Sequence, residues 1–223
     1  MSAAEASPES AAPPVVGGSA VTDAVERVVD LLLAGAAAAL TAPLVAVLAV
    51  AIRLESRGSP IYTQTRVGKD GRPFAIYKLR TMVSGAEFTG ARFALAEGDD
   101  RITRVGSWLR RYSLDELPNL WNVLRGEMSI VGPRPTLEFQ VLRYTPRQRG
   151  RLAVKPGITG WAQINGRASL PWPERIELDL WYVERRSLRL DAAILRRTVG
   201  LVLSGHGIYK GATGGWQPPE QST

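Results

Sequence analysis

The sequence predicts an α+β protein, mostly helical with a small β-hairpin or sheet, carried on an apolar helix that inserts into a membrane. Three observations predict this. Residues 31–52 are 22 positions without a charge, bounded by Asp30 and Arg53, as long as a bilayer-inserting helix. Two short runs rich in β-forming residues flank the turn Gly68-Lys69-Asp70-Gly71, the pattern of a hairpin. Apolar residues recur at helical spacing over residues 174–203. The chain has 223 residues, of which 45% are hydrophobic and 22% charged, enough for one core of ordinary domain size.

Residues 1–20 are rich in Ala, Ser, Pro and Gly, with Pro13-Pro14 and Gly17-Gly18, and read as a disordered tail. No Lys or Arg precedes Arg27, so the basic start of a signal peptide is missing. The apolar segment, placed at residues 21–53 with its flanks, would run about 33 Å over its uncharged stretch against a hydrocarbon core of roughly 30 Å. Pro43 removes a backbone donor inside it and divides the uncharged run into pieces of 12 and 9 residues. A hairpin that enters and leaves on one face and a kinked span both remain open. Arg53, Arg57 and Arg66 put the C-terminal end of the segment in the cytoplasm.

Beyond the anchor, residues 61–67 and 72–78 read as the two strands of the hairpin, and 83–97 carry no clear pattern. Helices are expected at 102–111 and 117–124, and at 137–152 despite Pro146. Gly132-Pro133-Arg134-Pro135 excludes regular structure, and 156–167, with three glycines, reads as loop or extended chain. Over residues 174–203, Ile176, Leu180, Val183, Leu190, Ile194 and Leu201 alternate with Arg185, Arg186, Arg189, Arg196 and Arg197. Such a helix suits an anionic membrane surface and equally a core-packing position with a solvated face. Residues 54–210 form the expected catalytic domain, with 211–223 as a flexible tail.

Composition narrows the chemistry. The chain has no Cys and one His, His206, which removes disulfides, thiolate nucleophiles, iron–sulfur clusters and the usual zinc sites. Catalysis must use carboxylates, cations, hydroxyls or a hard metal. Net charge is +7, and residues 53–155 hold 19 Lys and Arg against 10 Asp and Glu. Nearly all the cations are Arg, whose fork suits phosphate, so an anionic partner follows: nucleic acid, anionic lipid or a phosphorylated small molecule. No GxxxxGK[ST] loop and no GxGxxG after a strand occurs.

Asp115 and Glu116 lie in Ser113-Leu114-Asp115-Glu116-Leu117-Pro118. Ser113 and Glu116 fit a capping box; a helix begun at Pro118 instead leaves both carboxylates just before its positive end, able to hold Mg²⁺ or attack phosphorus. Both readings stay open on spacing. Arg134, between two prolines, is held on a stiff backbone that could aim a guanidinium at phosphate. Lys78 and Arg80 share one side of a strand.

Four segments, in order, carry a resemblance: Phe74-Ala-Ile-Tyr-Lys78-Leu-Arg80-Thr-Met82, Arg111-Tyr-Ser-Leu-Asp115-Glu116-Leu-Pro-Asn119, Met128-Ser-Ile-Val-Gly-Pro-Arg134-Pro135, and Lys155-Pro-Gly-Ile-Thr-Gly-Trp161-Ala-Gln-Ile-Asn165-Gly-Arg167. Together they resemble the bacterial sugar transferases, the monotopic phosphoglycosyl transferases, over residues from about 22 to 210, in their short form. The resemblance implies transfer of a sugar 1-phosphate from a UDP-sugar to polyprenyl (undecaprenyl) phosphate with release of UMP, as the first membrane step of a glycan pathway. It places the enzyme on the cytoplasmic face of the inner membrane, against an anionic bilayer, with no nucleic acid and with a homodimer permitted.

By resemblance Asp115 is the nucleophile that becomes covalently phosphorylated and a contact for Mg²⁺, and Glu116 assists. Lys78, Arg80, Arg111, Arg134 and Asp179 bind substrate or phosphate. The implied anchor is a re-entrant helix-break-helix with Pro43 at the break and surface amphipathic helices beside it. The family's Ser before that proline is Ala42 here, so Thr41 is expected to satisfy the carbonyl that Pro43 frees. The competing reading is a membrane-tethered basic nucleic-acid-binding or scaffold protein without catalysis.

Overall fold

The computed structural model describes residues 16–86, 99–166 and 170–204. Residues 1–15, most of the unassigned 83–97 stretch, Arg167, His206 and the C-terminal tail lie outside them. Helix α1 (Ala20–Glu55) is followed by the hairpin β1 (Ile61–Val67) and β2 (Pro73–Leu79), then α2 (Arg104–Arg111), a 3-10 helix (Leu114–Asn119), α3 (Leu120–Arg125) and β3 (Ser129–Val131). The second half holds α4 (Glu138–Val141), α5 (Pro146–Arg149), a 3-10 helix (Gly150–Ala153), β4 (Gly157–Thr159), α6 (Trp161–Ile164), α7 (Trp172–Arg185) and α8 (Leu188–Ser204). The expected α+β class stands.

The anchor departs from the expected two pieces. It is one 36-residue helix with Pro43 inside it. Thr41 does not rescue the carbonyl freed by the proline. That carbonyl belongs to Ala39, four residues before Pro43, whereas the Thr41 hydroxyl donates to Ala37, its own i−4 partner, at 2.7 Å. Ordered chain also begins earlier than expected, because the Gly17 N–H donates to Val183 at 2.8 Å and the Ser19 side chain caps the helix.

One face of α1 is bound to the rest of the molecule along nearly its whole length. Arg27 donates to the Val123 and Leu124 carbonyls at 2.6 and 2.9 Å, closing the open C-terminal end of α3. Asp30 accepts from the Ile130 N–H and Ser129 hydroxyl at 2.9 and 3.1 Å. Ala34 packs with Ile76, Leu120, Val123 and Met128, and Leu48 and Ile52 pack with Leu79 and Leu109. At the far end Glu55 takes the free N–H groups of Arg104 and Val105 at the start of α2. The opposite face is apolar and bare, with Leu32, Leu40, Val47, Val50 and Leu54 exposed. Only 11% of the most apolar window, mean hydropathy 2.3, is buried by the protein, so α1 is not the core helix of a soluble domain. The chain associates with a membrane through it.

The hairpin pairs antiparallel, Tyr62 opposite Lys78 and Val67 opposite Pro73. The outer edge of β2 is sealed by two side chains one helical turn apart. Asn119 accepts from the Tyr77 N–H at 3.1 Å, and Asn122, fully buried, donates to the Ala75 carbonyl at 2.6 Å. Two strand groups that would otherwise be stranded in the interior are thereby satisfied.

Several expected helices are divided. Pro146 begins α5 at its first turn, with Thr145 and Gln148 forming a capping box, so 137–152 is three short pieces. The helix expected over 174–203 is two, because Arg186 takes an extended conformation (ψ 136°) where it pairs with Asp23 and Glu26 of α1. Ile176, Leu180, Val183 and Ile194 are buried, so these helices turn their apolar faces to the core.

Within the stretch read as loop or extended chain, the extended alternative holds at residues 157–159. Strands β3 and β4 pair in parallel, Ser129 with Gly157 and Val131 with Thr159. A Cβ on Gly157 would stand 2.1 Å from the Gly132 nitrogen, and one on Gly160 2.1 Å from the Gly132 carbonyl, so backbone packs on backbone at this seam. Gly157→Ala should therefore destabilise the fold by about 1–3 kcal/mol or more. Gly200→Ala, in α8 with nothing within 4 Å of its Cβ, should stabilise it by about 0.5–1 kcal/mol. Chemical denaturation of the two variants checks the pair.

Candidate active site

Asp115 and Glu116 sit on the 3-10 helix that Asn119 docks against β2. The chain enters this helix through Ser113, a non-glycine residue in the left-handed region (φ 55°, ψ 23°), a conformation that costs about 1–3 kcal/mol and marks constrained sites. Neither expected arrangement forms. The helix begins at Leu114 rather than Pro118, and the Ser113 side chain makes no capping bond. The Glu116 carboxylate is drawn away by charge-assisted bonds stronger than a cap N–H offers. Its Oε1 accepts from Lys78 Nζ at 2.7 Å and from Arg134 at 2.7 Å.

Those two bonds join three of the sequence segments. Lys78 lies beside Tyr77, whose N–H binds Asn119, so the contact that seals β2 also aligns Lys78 with Glu116. Arg134 arrives from the Gly132-Pro133-Arg134-Pro135 bend after β3. Burial pushes the Glu116 carboxyl up, but Arg134 and Lys78 outweigh it and hold the group well below the usual carboxylate range.

Asp115 differs sharply from its neighbour. Its side chain accepts no hydrogen bond from any described residue, and its pKa is raised, by burial above all and then by the charge of Glu116, against the pull of Lys78, Arg110 and Arg134. Of two adjacent carboxylates one is spent on holding cations and the other is left free. Around them the cations exceed the anions. Arg66, in β1, donates to the Pro135 carbonyl at 3.3 Å and to Gln64 at 2.6 Å, and its pKa is lowered to about 10 by burial and by the nearby charge of Arg134. With Lys78, Arg66, Arg110 and Arg134 set against Asp115 and Glu116, the site is built for an anion.

Three of the expected phosphate ligands stand elsewhere. Arg80 gives its donors to the Arg57 and Ser56 carbonyls and the Ser56 hydroxyl, at 2.7–2.8 Å, and closes the end of α1. Arg111 is exposed and lies over the Tyr112 ring, 5.9 Å from its centroid. Its neighbour Arg110, bonded to the Thr81 hydroxyl at 2.7 Å, is the one that acts on Asp115. Asp179 is 2% exposed and paired with Arg151, buried rather than open to a ligand. Sequence reasoning missed Arg66, Arg110, Asn119 and Arg151; only Arg66 carried a signal, as a strand residue on the same side as Lys78.

Among the described residues no group of three or more His, Cys, Asp or Glu converges, so a protein-only metal cage is not formed there. The free oxygens of Asp115 and the Oε2 of Glu116 fit a different mode, in which one or two carboxylates and substrate phosphates share a hard divalent ion.

The model of the family described as bacterial sugar transferase matches residues 21–205. The chain belongs to the bacterial sugar transferase family. It is 47% identical over 154 residues to the uncharacterized sugar transferase EpsL of Bacillus subtilis, covering 69% of this chain and 75% of that protein. To the UDP-glucose:undecaprenyl-phosphate glucose-1-phosphate transferase of Caulobacter vibrioides it is 44% identical over 193 residues, covering 82% and 72%. To the UDP-N-acetylgalactosamine-undecaprenyl-phosphate N-acetylgalactosaminephosphotransferase of Aeromonas hydrophila it is 43% identical, covering 82% of this chain but 44% of that protein. The chain thus spans most of some relatives and less than half of others. It is an enzyme, a phosphoglycosyl transferase, and the reading of a protein without catalysis falls away.

The two carboxylates should have opposite effects on stability. Asp115→Asn removes a charge that burial disfavours and should raise thermal stability at pH 7, by about 1 kcal/mol. Glu116→Gln leaves Lys78 and Arg134 facing each other and should lower it, by about 2 kcal/mol. The folded-state pKa of Glu116 is depressed from 4.5, so its contribution is full above that value and lost as pH falls below it. The gap between Glu116→Gln and the parent protein should therefore narrow in thermal melts taken below about pH 4.5.

Proposed function

We propose that this sugar transferase moves a sugar 1-phosphate from a UDP-sugar to undecaprenyl phosphate and releases UMP, with Asp115 as the covalent nucleophile. The observation that carries the reading is the division of labour between adjacent carboxylates. Glu116 is bound to Lys78 and Arg134, whereas Asp115 is unbonded, half-buried and surrounded by a surplus of cations.

The chemistry follows from that arrangement. An Asp115 oxygen attacks the phosphorus that bears the sugar; an O–P bond forms as the bridging P–O bond breaks, and UMP departs with the electron pair. An oxygen of the lipid phosphate then attacks the same phosphorus and frees the carboxylate. One encounter between two anionic substrates becomes two displacements on the protein. Lys78, Arg110 and Arg134 keep Asp115 ionised against its desolvation, and Arg66 and Arg134 face the charge of the diphosphate. Such fixed cations act mainly by electrostatic stabilisation in phosphoryl transfer. Asp115 and Glu116 Oε2 would hold Mg²⁺, which neutralises phosphate charge when bound.

The same reading sets the anchor. Residues at both ends of α1, Arg27 and Asp30 at one and Glu55 at the other, bind one folded unit. A straight crossing of residues 31–52 would carry the packed residues Ala34, Leu48 and Ile52, and the domain attached to them, into the hydrocarbon. We therefore favour a monotopic arrangement in which the bare face of α1 enters the cytoplasmic leaflet and both ends stay on one side.

Purified protein with Mg²⁺, undecaprenyl phosphate and a panel of UDP-sugars should release UMP, and Asp115→Asn should reduce release by at least about 10³-fold. Release that survives Asp115→Asn would refute the nucleophile. For topology, the absence of Cys allows single Val21→Cys and Arg57→Cys probes. Both should resist an impermeant maleimide in intact cells and react after permeabilisation; Val21→Cys labelled from outside would mean a span.

A further inference from the structure

We infer that Arg151, a buried residue, is the positioning residue that aims Arg134, and that Asp179 serves the reaction by holding Arg151. The inference rests on the phosphoglycosyl transferase reading and adds to it a second layer that acts through the backbone.

Arg151 is 3% exposed. One arm donates to the Tyr144 hydroxyl at 2.6 Å; the other donates to the main-chain carbonyl of Arg134 at 3.0 Å and to the Asp179 carboxylate. The guanidinium lies between the Tyr144 and Trp172 rings, 5.8 and 5.7 Å from their centroids. Four partners from three segments, the bend at Arg134, Tyr144, and Trp172 and Asp179 of α7, thus fix one planar group in position and orientation.

The carbonyl it holds matters because of the prolines. Pro133 and Pro135 fix their own φ angles, so the direction of the bend at Arg134 turns largely on that residue's own φ and ψ, and ψ sets the orientation of the peptide that joins Arg134 to Pro135. Arg151 grips the oxygen of that peptide. Arg66 grips the next carbonyl, that of Pro135, at 3.3 Å. Tyr144 extends the hold, since its hydroxyl meets Thr136 Oγ1 at 3.0 Å and Thr136 donates to Gln140 at 2.7 Å. With the bend clamped on both sides, the Arg134 side chain leaves it in one direction, toward Glu116.

Stability alone is a weak reason for such a pair. Burying two charges is expensive, and an apolar replacement of similar volume is often as stable. Here Asp179 Oδ1 and Arg151 Nε are also buried without a partner among the described residues, a cost that a purely structural contact would not need. What an apolar replacement would lack is the fork that reaches Arg134, Asp179 and Tyr144 together.

Arg151→Lys tests this, since an ammonium can still neutralise Asp179 but lacks the fork. The expected result is a folded protein whose kcat for UMP release falls about 10–100-fold while KM for the UDP-sugar changes less than about threefold. Combined with Arg134→Ala, it should add no more than about threefold to the loss from Arg134→Ala alone, because both remove one function. Asp179→Asn should behave in the same way. Losses that multiply, or a KM change as large as the kcat change, would overturn the inference, as would failure of both variants to fold.

A second readout does not depend on turnover. Amide exchange should rise in Arg151→Lys within residues 132–145 and stay unchanged in α1 and β2. Exchange that is unchanged throughout, or raised throughout, would count against the clamp. Wild-type protein that releases no UMP from any donor would instead remove the reaction itself, and the exchange result would still decide whether Arg151 holds the bend.

Discussion

A single carboxylate oxygen, Glu116 Oε1, receives both Lys78 from the hairpin and Arg134 from the proline-bounded bend. The site depends on this three-way contact. Without it, Arg66, Lys78 and Arg134 would repel one another across a cleft with little to oppose them. With it, the cations are close enough to form an anion site, and none of them needs to bind Asp115. Asp115 remains unbonded because its neighbour takes the cations. Burial keeps Asp115 poorly solvated, and the cations acting from a distance offset much of that penalty, a balance suited to the attack on an anionic phosphoryl group proposed for it.

The surrounding fold delivers three short segments to one point. Asn119 and Asn122 register the 3-10 helix and α3 on β2. Gly132, Gly157 and Gly160 let the third and fourth segments touch at the backbone. Helix α1 binds α3, β3 and the start of α2 along one face, so the membrane-facing element and the site belong to one rigid unit. In the proposed reaction a lipid phosphate would meet a centre held in fixed register with the anchor.

Much of this was legible in sequence, and the failures have physical causes. The hairpin was legible because its turn and alternation are local. Asp115, Glu116, Lys78 and Arg134, which the structure brings together, were singled out because they lie in segments whose order resembles a family. Arg80 misled because alternation along a strand stops where the strand stops, and β2 ends at Leu79. Arg111 was named by resemblance, which does not show which way a helical residue faces, whereas about 100° of helical rotation sends Arg110 toward Asp115 and Arg111 to solvent. The helix expected over 174–203 kept its period across a break imposed by ion pairs from α1, although Ser187, which caps α8 through the Leu190 N–H at 3.3 Å, marked the restart. Asp179 was named as a ligand by resemblance, and its burial against Arg151 is not visible in sequence.

The most direct test of the account is mass analysis of the Asp115 peptide after the protein is mixed with UDP-sugar and Mg²⁺ in the absence of lipid acceptor, under a quench that preserves acyl phosphates. The account predicts a mass increase equal to one sugar phosphate on Asp115, which disappears when undecaprenyl phosphate is added before the quench. UMP release with no adduct on that peptide, or an adduct on another residue, would contradict it.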